Sequence, residues 1–135
     1  MKLTAKSEYA CLAMIALAEE FDSGRLMTIT EISGEKGIPK KFLEQILLIL
    51  KRGGYVRSRK GPTGGYTLAK KPEEICVAEI IRLMDGALAP VESVSKYFFE
   101  HTPIEKCPKL LNIFRTIRDY ISELLEGVTF RELVK

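Results

Sequence analysis

Glu44 and Gln45 stand side by side in a segment, Lys36 to Lys71, that holds ten Lys and Arg residues and no acid other than Glu44. That combination points to contact with a nucleic acid. The cations neutralise phosphates, while in a major groove a carboxylate accepts from cytosine N4 and a Gln side chain pairs bidentately with adenine. Two accounts of Glu44 stand at this level: it reads a base edge, or it solvates an exposed helix face. A lone acid facing phosphate among so many cations is unfavourable unless it meets a base, which favours readout. Lys40, Lys41, Arg52 and Arg57 are more simply phosphate contacts. Arg59 and Lys60 precede Gly61-Pro-Thr-Gly64-Gly65, whose glycines permit a tight hairpin and close backbone approach, so both cations can enter a minor groove. The loop is not a phosphate-binding loop of the nucleotide-hydrolase kind, because no Lys-Ser or Lys-Thr follows it. Lys2, Thr4, Thr28 and Gly61 complete the candidate DNA contacts.

These side chains need a helix, a turn and a hairpin to hold them. Thr28-Ile-Thr-Glu31 has capping-box spacing and begins a second helix; Gly37 ends it, and Pro39 sets the first turn of a third helix, Lys40 to Arg52. That arrangement is a helix-turn-helix. Phe42, Leu43, Ile46, Leu47 and Leu50 bury one side of the third helix, and Gly53-Gly54 stops it. Tyr55 to Ser58 and Tyr66 to Leu68 read as short strands of a basic wing. A first helix, about Thr4 to Phe21, has Tyr9, Leu12, Ala13, Ala16 and Leu17 at core-face spacing. After Pro72 come a helix at Val77 to Met84, an irregular link through Pro90 and Pro103, and a long helix from Leu110 to Glu126. On that last helix Leu110, Ile113, Ile117, Tyr120 and Leu124 follow three- and four-residue steps. A stripe of that length exceeds what one small domain covers, so it predicts a homodimer; packing inside one chain is the alternative. The expected fold is mostly α with a small β-hairpin wing, a winged helix-turn-helix plus a long C-terminal dimerisation helix. A DNA-binding region at 1–72 and a linker, dimerisation and sensing region at 73–135 share a single compact domain.

Composition narrows the class. The 135 residues are 46% hydrophobic, enough for a core without disulfides or metal. The net charge of +3 is uneven: residues 1–72 hold thirteen basic and seven acidic side chains, residues 73–135 eight and eleven. The front half suits a polyanion. Lys2, Lys6 and the apolar run from Tyr9 to Ala18 imitate a signal peptide, but Ser7-Glu8 abuts the run and its spacing is that of an amphipathic helix. No stretch approaches the length of a membrane span. Cys11, Cys76 and Cys107 are odd in number and lack C-x-x-C spacing, which argues against a disulfide framework or zinc ribbon and for the reducing cytoplasm. Cys11 and Cys76 are expected as small core residues. With one His and no nucleophile or paired-carboxylate motif, the chain is not expected to be an enzyme. A winged helix used only for protein interaction is the competing reading; its docking face should have an apolar centre, and here Lys and Arg dominate. RNA is disfavoured by the lack of a stacking platform.

Several segments together resemble the bacterial Rrf-two family of winged-helix transcription regulators, which includes the iron–sulfur cluster regulator, the nitric-oxide-sensing repressor and the cysteine metabolism repressor. They are Met1 to Ala10, Phe42-Leu-Glu-Gln45, Gly54-Tyr-Val-Arg-Ser58 with Lys60 to Tyr66, Ala87-Leu-Ala-Pro-Val91, and Val128 to Leu133. The resemblance implies a homodimer with crossing C-terminal helices, its two winged helices reading an inverted repeat; the expected role is that of a repressor. Many family members carry Arg where Lys60 stands. Cluster-binding members usually have three close cysteines between the Ala-Pro-Val segment and the long helix; this chain has only Cys107 there, with Ser93 and Ser95 where the first would be sought. No cofactor is therefore expected. The alternative is an unconventional iron–sulfur cluster or metal held by Glu8, which matches an N-terminal acid ligand of some relatives, with His101 and Cys107. No residue pattern identifies an effector.

Overall fold

In the computed structural model, which describes residues Met1 to Lys135, helix α1 (Ala5–Glu20) runs through the middle of the molecule. Around it pack α2 (Ile29–Lys36), α3 (Lys40–Arg52), α4 (Val77–Asp85) and a hairpin of β1 (Val56–Arg59) and β2 (Gly65–Leu68). The long α5 (Pro108–Gly127) follows a link with short 3-10 turns at Glu92–Val94 and Pro103–Lys106.

Local sequence explains the elements around the turn. Thr28 Oγ1 accepts from the Glu31 amide and Glu31 Oε1 accepts from the Thr28 amide, both at 3.1 Å, completing the expected capping box. Gly37 adopts φ 66, ψ 34, the left-handed geometry that ends α2. Pro39 is the cap residue before α3 rather than a member of its first turn, and its φ of −57 leads directly into the helix. Lys40 to Arg52 are helical, as the sequence indicates. The strands are antiparallel with Val56 opposite Leu68 and Arg59 opposite Gly65, each displaced by one residue from its expected start or end.

Two expectations about α1 need correction. Ala13, Ala16 and Leu17 are buried as their spacing predicts, but Leu12, expected in the core with them, is 36% exposed, and Ala10, Met14 and Ala18 are buried in addition. A helix packed on several sides has no single apolar stripe, so three- and four-residue spacing selects only part of its buried surface. Tyr9 is half-buried, its ring edge-on to Phe42 with centroids 5.4 Å apart. Cys11 and Cys76 are likewise half-buried at the margin of the core.

The main core joins both halves of the chain. Ile75, Ile80, Met84 and Phe130 pack in one cluster with Met14, Met27, Ile46 and Leu50, so residue 72 marks no break in packing. After α5 the chain returns: Val77 donates its amide to the Val128 carbonyl at 2.9 Å, and Phe130 donates to Ile75 at 3.0 Å. Phe130 is fully buried. Arg131 then pairs with Asp22 through two 2.9 Å hydrogen bonds and with Glu73 at 3.3 Å.

Helix α5 shows two faces. Leu111 and Ser122 are buried, and Ile121 and Leu125 pack on Ala78, Ile81 and Leu88 of its own chain. Leu110, Ile113, Ile117, Tyr120 and Leu124 are all exposed, Tyr120 by 71%. No helix is long and apolar enough to cross a membrane.

Candidate nucleic-acid interface

Helix α3 turns Leu43, Ile46, Leu47 and Leu50 inward, and that burial fixes what faces out: Lys41, Glu44, Gln45, Leu48 and Arg52 are exposed on the opposite side. Glu44 forms no ion pair despite its basic surroundings, so its carboxylate is free to accept from a donor outside the chain. Lys36 is held by Glu19 at 2.6 Å, and Lys70 lies over the Tyr55 ring at 4.9 Å. The other basic side chains between Lys36 and Lys71 carry no ion pair.

The wing is seated by its glycines. A Cβ on Gly64 would stand 2.1 Å from the Arg59 carbonyl oxygen, and one on Gly65, whose φ is 150, would stand 2.7 Å from that of Met27. Only glycine fits either place. The close approach at Gly65 allows Tyr66 and Met27 to exchange backbone hydrogen bonds of 2.7 and 3.0 Å, which fasten the hairpin to the segment before α2. Lys51 adds a tie from the last turn of α3, donating to Ser58 Oγ at 2.7 Å.

Between α2 and the wing lies a cleft of about 380 Å³ that brings together Thr28, Lys51, Arg59, Lys60 and Gly61. Thr28 is exposed there; its oxygen accepts from Glu31 while its proton stays available to a phosphate oxygen. Arg25, from the turn before α2, is committed elsewhere. It binds Glu31 at 2.5 Å and Glu20 at 3.2 Å, and its guanidinium holds both carboxyls below the usual range.

Thr4 departs from the sequence reading. Its oxygen accepts from the Ser7 amide at 3.1 Å as the cap of α1, and its proton goes to Asp85 at 2.5 Å. A phosphate offers only acceptors, so a hydroxyl whose proton is spent has nothing to give it. Lys2 is exposed, but it lines a cleft with Asp85, Ala87 and Glu92 rather than the wing cleft. Sequence reasoning missed Leu48, Arg25, the Lys51 to Ser58 tie and the Thr4 to Asp85 pair. For the last, a capping Thr was readable, but its partner is 81 residues away.

The profile of the Rrf2 family, described as iron-dependent transcriptional regulators, matches residues 3–135. The candidate iron ligands do not suit such an ion within this chain. Cys107 and His101 are exposed, His101 Nδ1 lies 3.1 Å from Glu105, and no three His, Cys, Asp or Glu side chains are grouped to hold a metal.

Among curated proteins, a helix-turn-helix-type rrf2-like regulator of Rhodobacter capsulatus is 40% identical over 107 residues, covering 78% of this chain and 70% of its own. Among solved structures, CymR, the global cysteine regulator of Bacillus subtilis, aligns with a TM-score of 0.80 at 28% identity over 98% of this chain and 95% of its own. IscR of T. potens aligns at 0.77 and 27%, over 98% and 85%. Both alignments take in the helix-turn-helix, the hairpin and the C-terminal helix of this chain. With the family profile spanning almost every residue, the chain belongs to the Rrf2 (Rrf-two) family of winged-helix transcription regulators, DNA-binding proteins rather than enzymes.

Proposed function

We propose that the protein is a sequence-specific regulator that binds an inverted-repeat operator as a homodimer and represses transcription from it. The observation that carries this reading is the outward face of α3, where an unpaired Glu44 and Gln45 stand within a cationic surface flanked by the wing. Pure polyanion binding would be served better without the acid. Glu44 and Gln45 read base edges, Lys40, Lys41 and Arg52 bind phosphates, and Thr28 with Arg59, Lys60 and Gly61 brackets the backbone beside the wing.

The open face of α5 supports the homodimer. Five apolar side chains at heptad-like spacing lie uncovered while the opposite face is used by the chain itself, and a second copy of the same helix is complementary to such a stripe. A two-fold dimer presents two copies of α3, hence the inverted repeat. Where such an operator overlaps a promoter, the bound dimer excludes polymerase, and repression is the outcome proposed. DNA binding proceeds without a resident metal, as the dispersed Glu8, His101 and Cys107 suggest.

Selection of binding sites from random duplex DNA, followed by footprinting, tests the proposal. The expected result is an enriched inverted repeat protected as one unit. Recovery of unrelated sequences, bound equally well, would overturn it.

A further inference from the structure

Leu48 is the apolar exception on the outward face of α3. It is 47% exposed, whereas Leu43, Ile46, Leu47 and Leu50 of the same helix are buried. Its place is central: four residues after Glu44, three after Gln45, seven after Lys41 and four before Arg52, all exposed. Its helical neighbours on that face are charged or polar, so it is a single apolar point rather than part of a protein-docking patch. The helix side that carries the base-reading candidates thus presents one branched aliphatic group at the level of the bases. In a major groove the one apolar feature of the base edges is the C5-methyl group of thymine.

We propose that Leu48 packs on a thymine C5-methyl group in each half-site, so that the protein distinguishes thymine from cytosine at that position by apolar contact beside the polar readout of Glu44 and Gln45. The inference rests on the DNA-reading function above. The contact removes the exposed leucine and the methyl group from water together, with no hydrogen bond to satisfy, and is worth about one buried methyl group, roughly fourfold in affinity per half-site.

The test replaces the thymines of the selected operator duplex one at a time by deoxyuridine, which keeps the pairing edge and lacks only the methyl group. With the full chain, one thymine per half-site should show the fourfold loss and the others none. Leu48→Ala, which loses the contact in both half-sites of the dimer, should bind the unmodified operator as weakly as the unchanged protein binds a duplex with the responding thymine replaced in both half-sites, roughly sixteenfold, and should ignore the replacement. Leu48→Met should keep the sensitivity. Unchanged thermal melting of both variants, expected for so exposed a residue, separates readout from folding. An operator in which no thymine responds, or a response kept in full by Leu48→Ala, overturns the Leu48 contact while leaving the regulator intact. A selection that enriches no sequence at all overturns both.

Discussion

Thr4 Oγ1 donates to Asp85 at 2.5 Å while the Thr4 amide donates to the other Asp85 oxygen at 3.2 Å, so one carboxylate grips the start of α1 from the end of α4. Thr4 is a joint between helices. Thr4→Ala should lower stability by about 1 kcal/mol through the lost cap alone, read as a lower denaturant midpoint. Affinity for the operator should not change, because no phosphate contact is removed. A severalfold loss of operator affinity would restore Thr4 to the DNA interface.

Glu44→Ala should relax base preference at one position per half-site by about 1–3 kcal/mol, with affinity for random DNA unchanged or higher. Lys41→Ala and Lys60→Ala should instead weaken binding to all sequences and reduce the salt slope by about one each. Repeating the site selection with the Glu44 variant decides; an unaltered preference at every position would leave Glu44 as a solvated surface acid.

Acid should weaken the capped start of α2. The Glu31 carboxyl sits below its ordinary value of 4.5 because Arg25 and then the Thr28 amide hydrogen-bond to its charged form. The unfolded chain therefore binds the proton more readily. The stabilisation is complete above about pH 4.5 and disappears as the pH falls through the lowered folded value. Denaturation of the protein and of Arg25→Met should show a stability gap at neutral pH that closes in acid. A gap of constant size would assign the effect to something other than the ion pair.

Ile117→Asp combined with Leu124→Asp should yield monomers in sedimentation and abolish high-affinity operator binding, since two charges would enter the proposed seam. Both side chains are exposed in the single chain, so helicity should survive. Dimers persisting with unchanged affinity would place the contact between copies elsewhere.

Protein purified anaerobically should be colourless, free of stoichiometric iron and competent for operator binding, and Cys107→Ala should leave that affinity unaltered. A visible absorption band lost in Cys107→Ala or Glu8→Ala would establish a cluster held by these residues. Thiol reagents at neutral pH should modify exposed Cys107 quickly and spare Cys11, whose thiol stays protonated.

What was readable in the sequence was local. The limits of α3, the Thr28 capping box and the left-handed Gly37 each follow from residues a few positions apart, where helix capping and backbone sterics decide. The buried surface of α1 was readable only in part: spacing picked out Ala13, Ala16 and Leu17, but a helix touched from several directions also buries Ala10, Met14 and Ala18, outside any one stripe. Leu48 was hidden in the run Ile46-Leu-Leu-Ile-Leu50, whose aliphatic residues look alike until a helix sends one of them outward. The roles of Thr4 and Phe130 depend on partners from far along the chain, which no local pattern encodes.

The returning segment after α5 puts the surface proposed for a second copy and the surface proposed for DNA mechanically in series. Phe130 acts as a plug: its ring is fully enclosed among the residues on which α1 and α3 rest, and only Val128 and Thr129 separate it from the end of α5. Extracting a buried aromatic side chain costs on the order of 3–5 kcal/mol, enough that α5 cannot swing freely while the plug stays seated. A displacement of that helix would have to unseat Phe130 or shift the core on which α3 rests, so no free hinge separates the two surfaces.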